Sequence, residues 1–271
     1  MIAIVIPLGV LLPQRFIKQL PISVLIPFYV EPIDDAWDRL GDAIVKHHDV
    51  QFTVVVNPND GPGNSTWPAA AFIAAVQGIS IYPNVQLLGY VNTLNGTMPN
   101  ATVRTEIATY AAWSNVTKDL GLHGVYFDQT PAVDDGSGAT RSYLHNISAT
   151  VRDTQGWAHG RSGLVAHNAR RVPAAELLHD SRPDIVVVFE GAYRDMPPQH
   201  ALSAALASTH RGRQSFSMLV HSVPPDLGRG GLRRIIERVR RDVEWLYVTD
   251  VTDQMYTSYP TFWEQWLDVA W

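Results

Sequence analysis

Eight short apolar runs recur along this chain, and a stretch with helical spacing follows each of them. The runs cover residues 23–30, 51–57, 85–93, 122–128, 163–168, 184–190, 216–221 and 245–250. The helical stretches cover residues 34–48, 66–78, 101–120, 140–156, 174–179, 199–210, 232–243 and 261–270. The runs are continuously apolar, as in parallel strands that are covered on both faces. Eight such units predict an α/β fold, a single-domain (β/α)8 TIM barrel over residues 22–271, with an open doubly wound sheet as the alternative.

The composition excludes several classes of function. The 271 residues carry a net charge of -5 and contain no cysteine. A mildly acidic chain lacks the basic footprint of a nucleic-acid-binding protein, and a chain without thiols has no cysteine nucleophile and no thiolate zinc site. No Gly-x-Gly-x-x-Gly follows the first run, so we expect no dinucleotide and no other cofactor. Ten histidines leave a metal-dependent hydrolase as an alternative, although the first run lacks the His-x-His pair of such barrels.

The first 21 residues form a separate N-terminal segment in this prediction. Residues 1–12 are apolar, but they lack a basic start and are shorter than the roughly 20 helical residues that span a bilayer. They are typical either of a signal peptide or anchor remnant, or of a loosely packed segment. No later stretch of the chain approaches a transmembrane span.

Asn-X-Ser/Thr sequons are more frequent than chance predicts. Five of the ten asparagines begin one, whereas about one would be expected by chance. The five are Asn64, Asn95, Asn100, Asn115 and Asn146. This excess favours N-glycosylation and a secreted or cell-surface location, and an accident of a chain rich in Ser and Thr is the alternative.

Two acidic residues end apolar runs that the barrel would bring together. Asp128 closes the fourth run and Glu190 closes the sixth. Active sites of (β/α)8 barrels lie at the C-terminal ends of the strands, where a carboxylate is costly unless it is solvated, paired or in use. Two carboxylates facing one pocket would supply the acid and the nucleophile or base that glycoside hydrolysis requires. The alternative is that they cap helices or bind backbone amides in the turns.

Other polar and aromatic residues near the strand ends are candidate substrate-binding groups. They are Tyr29, Asn57, Asn59, Tyr90, Thr93, Gln129, His167, Asn168, His221, Asp250 and Tyr256. Tyr256 follows the last run and is placed to stack on a sugar ring. Trp67, near the loop after the second run, is another candidate platform.

Five motifs give the chain a resemblance to a known family. They are Pro27-Phe-Tyr29, Val56-Asn-Pro-Asn-Asp-Gly-Pro-Gly63, Leu88-Gly-Tyr-Val-Asn-Thr93, Gly124-Val-Tyr-Phe-Asp128 and Tyr247-Val-Thr-Asp250. In this order, over residues 22–268, they resemble the spherulin-4-like family, glycoside hydrolase family 135. The resemblance implies a (β/α)8 barrel, and fungal members are endo-acting hydrolases of galactosaminogalactan that cut α-1,4-linked N-acetylgalactosamine. It also implies that Asp128 is the nucleophile and Glu190 the acid/base.

One position departs from the family pattern. The family reads Phe-Asp-Glu where this chain reads Phe127-Asp128-Gln129. Glutamine cannot ionise, so a catalytically silent carbohydrate-binding barrel is the alternative to an active enzyme. Our leading interpretation is a secreted, retaining, metal-free endo-glycosidase of an amino-sugar-containing microbial exopolysaccharide. We expect it to be a monomer with no membrane span in the barrel.

Overall fold

Eight parallel strands close into a barrel in the order of the sequence. The computed structural model describes residues 20–270. Strands β1–β8 span Ser23–Phe28, Phe52–Val56, Val85–Asn92, Gly124–Asp128, Leu164–Asn168, Ile185–Ala192, Phe216–His221 and Trp245–Val248. The sheet closes where β8 pairs with β1, through Trp245 with Ser23 and Leu246 with Val24. The predicted TIM barrel is confirmed, and the open sheet is excluded.

An α-helix follows each strand and covers the outside of the barrel. Helices α1–α8 span Asp38–Lys46, Ala70–Ser80, Asn100–Ala112, Ala139–Asp153, Ala175–Ser181, Gln199–Ala207, Gly228–Val239 and Trp263–Ala270. Within residues 20–270, no helix is long and apolar enough to cross a lipid bilayer. Of the predicted N-terminal segment, residues 1–19 lie outside the described part of the chain.

The strands are apolar because both of their faces are covered. Every residue of β1, β2 and β8 is buried. One face of each strand fills the barrel interior and the other packs against the surrounding helices, which is why the runs do not alternate with polar residues. The two carboxylates carried by the strands, Asp128 and Glu190, lie toward the C-terminal ends.

Several element boundaries differ from the prediction. The helix predicted over residues 101–120 ends at Ala112 and is followed by two short 3-10 turns. The β-branched pair Val116 and Thr117 lies between those turns and disfavours helix. Strand β6 continues two residues past Glu190, and its pairing with β7 shifts register between Val187 and Phe189. Glu190 therefore follows a bulge inside β6 instead of ending the strand.

Gly89 in β3 leaves room for a tyrosine from α3. A Cβ at position 89 would lie 2.5 Å from the Tyr110 ring, whose hydroxyl donates a 2.9 Å hydrogen bond to the Tyr90 carbonyl. We expect Gly89→Ala to displace this ring and to lower the free energy of unfolding by about 1–3 kcal/mol, measured by chemical denaturation. Gly41→Ala is the control, because a Cβ there meets no atom within 4 Å. Equal stability of the two variants would contradict the prediction.

Candidate active site

Asp128 and Glu190 lie on either side of Asn168 at the C-terminal end of the barrel. Asn168 ends β5, which lies between the strands that carry the two acids. Its amide Nδ2 donates to Asp128 Oδ1 at 2.8 Å and to Glu190 Oε2 at 2.6 Å. Because both bonds start at one nitrogen, their sum limits the separation of these two carboxylate oxygens to 5.4 Å. The two acids therefore line one pocket.

Arg170 contacts both carboxylates, and the sequence analysis missed it. Its Nε lies 3.3 Å from Glu190 Oε2, and its Nη2 lies 3.8 Å from Asp128 Oδ2. The Arg170 side chain is half exposed, whereas the Asp128 and Glu190 side chains are only 13% and 11% exposed. The guanidinium thus forms an outer wall of the carboxylate pocket and places one positive charge beside two negative ones.

A backbone reversal after β5 holds Arg170 in this position. Arg170 has φ 60, and its N–H donates a 3.2 Å hydrogen bond to Asn168 Oδ1. Its carbonyl accepts a 3.3 Å hydrogen bond from the Glu190 N–H. The next residue, Arg171, forms an antiparallel bridge with Phe189. The loop therefore pairs with the bulged end of β6 and fixes both Arg170 and Glu190.

Tyrosine hydroxyls complete the hydrogen bonding of the two acids. Tyr90 donates to Asp128 Oδ2 at 3.0 Å, and Tyr256 donates to Glu190 Oε1 at 2.6 Å. The Tyr29 ring meets the rings of Tyr90 and Tyr256 edge-on, at centroid distances of 5.4 and 5.6 Å. Burial and the neighbouring carboxylate raise the pKa of Tyr90 and Tyr256 above their usual value, so both remain neutral donors.

The electrostatic environment raises the pKa of Asp128. Burial raises the pKa of this carboxyl, and the negative charge of Glu190 raises it further. Arg170 and the hydrogen bonds from the Gln129 N–H and Tyr90 act in the opposite direction without cancelling the shift. A carboxyl group with a raised pKa beside a second acid is the usual electrostatic arrangement in acid–base catalysis.

Thr93 and Gln129 lie around the backbone of Asp128. The Thr93 hydroxyl lies 2.9 Å from the Asp128 carbonyl oxygen and 2.7 Å from that of Gln129, so it fixes the chain where β4 ends. Gln129 has φ 54, and its side-chain Oε1 lies 3.5 Å from Asn95 Nδ2. Thr93 is fully buried. It therefore acts on the backbone, while Gln129 is half-buried beside the loop after β3.

His167 does not face the pocket, which corrects its predicted role as a substrate-binding residue. Its ring is buried, with Nε2 3.0 Å from Ser148 Oγ on α4 and with the Phe127 ring edge-on at 5.7 Å. Burial lowers the pKa of this histidine to about 3, so the ring is neutral. Successive side chains of a strand point to opposite faces, and Asn168 occupies the inward face.

Asn57 and Asp250 bind backbone in their own loops. Asn57 Oδ1 accepts a 2.9 Å hydrogen bond from the Gly61 N–H and thereby closes the loop after β2, in which Asn59 is exposed. Asp250 accepts hydrogen bonds from the Thr261 N–H at 2.9 Å and the Thr261 hydroxyl at 2.6 Å. These contacts order the loops at the mouth of the barrel. Neither Asn57 nor Asp250 forms a hydrogen bond with Asp128 or Glu190 in them.

His221 lies on the Glu190 side of the mouth. It ends β7, and its Nδ1 lies 2.9 Å from Ser222 Oγ. Burial lowers the pKa of His221, and the charge of Glu190 acts against that shift. In the described residues, no three His, Asp or Glu side chains are arranged to hold a metal ion.

Both the sequence and the fold are similar to those of known proteins. The model of spherulation-specific family 4 matches residues 23–270. Spherulin-4 of Physarum polycephalum is 26% identical over 234 residues, which make up 85% of this chain and 64% of that protein. The chain thus spans slightly less than two thirds of that relative.

Solved structures with the same fold are also similar. Aspergillus clavatus Sph3 in complex with GalNAc is 31% identical, with a TM-score of 0.84, covering 92% of this chain and 97% of that one. An endo-beta-N-acetylglucosaminidase of Cordyceps militaris shares the fold alone, with 10% identity and a TM-score of 0.56 over 92% of this chain and 90% of that one. The family match over nearly the whole described barrel and the likeness to Sph3 show that this chain belongs to the spherulin-4 family, glycoside hydrolase family 135.

Proposed function

We propose that this protein is an endo-acting, retaining glycoside hydrolase of an amino-sugar-containing exopolysaccharide. The observation that carries the proposal is the limit of 5.4 Å between Asp128 Oδ1 and Glu190 Oε2. Retaining glycosidases hold their two carboxyl groups about 5–5.5 Å apart, whereas inverting enzymes hold them about 6.5–9.5 Å apart to admit a water. The spacing supports a double-displacement reaction.

The relatives support the proposed substrate class. Sph3 of Aspergillus clavatus, which is 31% identical to this chain, was solved in complex with GalNAc. The motifs shared with the family imply a galactosaminogalactan-like polymer with α-1,4-linked N-acetylgalactosamine. We therefore infer that the unit held between Asp128 and Glu190 is an N-acetylhexosamine of that kind.

The reaction uses the two acids in turn. Asp128 attacks the anomeric carbon, the bond from that carbon to the leaving oxygen breaks, and Glu190 gives its proton to that oxygen. Water then attacks the anomeric carbon of the glycosyl ester while Glu190 takes a proton from it. This step releases the sugar with its original configuration and regenerates the Asp128 carboxylate and protonated Glu190. Tyr90, Tyr256 and Asn168 hold the carboxylates in place.

These roles follow the family resemblance, and one observation favours the reverse. Burial and the charge of Glu190 raise the pKa of the Asp128 carboxyl. The acid of a glycosidase is the carboxyl group whose pKa is raised. The two assignments predict a different dependence of the rate on the leaving group.

Incubation of the purified protein with galactosaminogalactan tests the proposal. We expect reducing ends to appear while the polymer mass falls quickly, since cleavage is internal. The first product observed by NMR should be the α-anomer. Release of monosaccharide alone would contradict an endo-acting enzyme, a β-anomer would contradict retention, and no cleavage of any amino-sugar polymer would contradict hydrolysis.

A carbohydrate-binding barrel without hydrolysis is the second candidate, and Gln129 is the observation that favours it. This residue directly follows Asp128, where the family pattern has Glu. If the chain binds the polymer without cleaving it, and if Gln129→Glu then releases reducing ends, the second candidate replaces the first. If the unmodified chain cleaves the polymer, hydrolysis does not require the ionisable Glu of the family pattern at position 129.

We also propose that the enzyme is secreted or cell-surface and acts as a monomer on its polysaccharide. Three of the five sequon asparagines, Asn64, Asn95 and Asn115, are exposed, which supports glycosylation in a secretory pathway. A loss of mass on enzymatic deglycosylation of protein from its natural source would test this. A single, unglycosylated mass would contradict it.

A further inference from the structure

A second pocket opens on the same end of the barrel as the acid pair. It has a volume of about 310 Å³ and lies between the loop after β1 and the loop after β2. We call it the Trp67 pocket, and it is lined among others by Glu31, Ile33, Asn59, Asn64, Trp67 and Phe72. Ligand pockets for small molecules begin at about 300 Å³. Its size therefore suits one sugar ring and not a long segment of chain.

The side chains of the Trp67 pocket combine an aromatic face with polar groups. Trp67 is 44% exposed and Ile33 is 64% exposed, although both are large apolar residues. Glu31 and Asn59 are exposed beside them. An indole presents a flat apolar face with a polar N–H, and the carboxylate and the Asn59 amide can bind hydroxyl or acetamido groups. A sugar ring presents this mixture of apolar face and polar rim.

The loops that form the Trp67 pocket also lead into the acid pair. Glu31 lies two residues after Tyr29, whose ring contacts Tyr90 and Tyr256. The loop after β2 is closed by the Asn57 bond to Gly61. In the same loop, the charge of Asp60 adds to the effects of burial and Asp128 that raise the pKa of Tyr90. The two loops thus reach from the Trp67 pocket to the tyrosines beside the acid pair.

The position of the Trp67 pocket is set by the order of the strands. In an eight-stranded barrel closed in sequence order, β2 lies across from β6. The Trp67 pocket is therefore on the rim opposite Glu190. A polymer with one linkage between the two acids reaches this rim if it runs toward the loop after β2.

We propose that the Trp67 pocket binds a further sugar ring of the same polysaccharide, away from the cleaved linkage. This inference rests on the proposed function and adds a distal subsite to it. Such a subsite contributes binding energy to long substrates in both the ground state and the transition state. Its loss raises KM and leaves kcat unchanged.

The test compares short and long N-acetylgalactosamine oligosaccharides, with protein made in bacteria so that no glycan at Asn64 occupies the pocket. We expect Trp67→Ala to raise KM for an octamer about tenfold, with kcat unchanged, and to raise KM for a trimer less than twofold. Trp67→Phe, which keeps an aromatic face, should raise the octamer KM less than threefold. Ile81→Ala removes an exposed apolar side chain at the other end of the barrel and is the control.

The outcomes separate the subsite from the proposed function. Equal KM changes for trimer and octamer, or no change for either, would overturn the subsite while leaving hydrolysis intact. If the unmodified protein cleaves neither substrate, the proposed function fails. Calorimetric titration of the octamer then decides the subsite, because binding that is absent, or that is the same for Trp67→Ala as for the unmodified protein, would overturn it.

Discussion

Glu190→Gln is expected to lower polymer cleavage by about 10²–10⁴-fold, the usual contribution of a general acid. The same variant should lose only about tenfold in kcat/KM on an aryl glycoside, because its leaving group needs no proton and kcat/KM does not include the later attack of water. Asp128→Asn removes the nucleophile and should lose about 10⁴-fold or more on both substrates. Steady-state rates on the two substrates measure the difference. If Asp128 is the acid instead, as its raised pKa favours, Asp128→Asn should show the loss that depends on the leaving group. Glu190→Gln should then lose activity on both substrates.

The pH profile gives this prediction a second readout. As nucleophile, Asp128 must be ionised, so the rate should fall as the pH drops through its raised pKa. The acid limb of the profile should then lie above the ordinary range of an aspartate. Because Glu190 carries its proton in this mechanism, Glu190→Gln should leave the acid limb on the aryl glycoside in place.

The control for both acids is another carboxylate of the barrel. Glu176 is exposed in the first turn of α5, and Glu176→Gln should keep full activity. Both amide variants keep the shape of the original side chain, so their thermal unfolding should show intact folding. If Asp128→Asn and Glu190→Gln both retained polymer cleavage, the acid pair would not be the catalytic centre.

The barrel was predictable because its signals are local. Each strand is a continuous apolar run, and each run is followed closely by its own helix, so the order of elements alone indicates the topology. Asp128 and Glu190 could be chosen because active sites of such barrels lie where the strands end. The proximity of the two acids then follows from their places in β4 and β6, on either side of β5.

Arg170 could not be predicted in the same way. Its position depends on a left-handed turn and on the Arg171 bridge to Phe189, which forms across the bulge in β6. In a sequence, two consecutive arginines after a strand are typical of a solvated loop. No periodicity indicates that the first of them turns back onto two carboxylates.

Strand alternation alone places His167 away from the pocket, contrary to its predicted role in substrate binding. His167 and Asn168 are consecutive residues of β5, and side chains alternate between the faces of a strand. Only one of the two can face the barrel mouth. The same alternation correctly places Phe127 behind Asp128, where its ring meets His167. Applied to β5, it would have assigned Asn168 to the pocket and His167 to the helix side.

Asn168 positions both acids, and its replacement is the second change that we expect to lower the rate of polymer cleavage strongly. One amide nitrogen donates to both acids, at 2.8 and 2.6 Å, so it sets their spacing. Asn168→Ala removes both bonds and leaves Arg170 between the acids. Misplacement of a catalytic group by about 1 Å can cost 10²-fold in rate, and we expect a loss of that size in kcat on the polymer.

Asn168→Asp should be more damaging at neutral pH and should recover in acid. It has the same shape but replaces a donor by a third carboxylate within hydrogen-bonding distance of two others, so like charges repel and the acids are pushed apart. We expect about a 10³-fold loss at pH 7, equivalent to roughly 4 kcal/mol. Protonation of the new aspartate restores a donor, so activity relative to the unmodified enzyme should rise as the pH falls.

A simple loss of stability would not make the relative activity of Asn168→Asp rise as the pH falls. The control is Asn115→Ala, at an exposed asparagine of the 3-10 turn after α3, which should leave the pH profile unchanged. A loss in Asn168→Asp that is equal at every pH, together with a lowered melting temperature, would assign Asn168 to the fold alone. Near-normal activity of Asn168→Asp at pH 7 would show that the spacing of the acids does not depend on this amide.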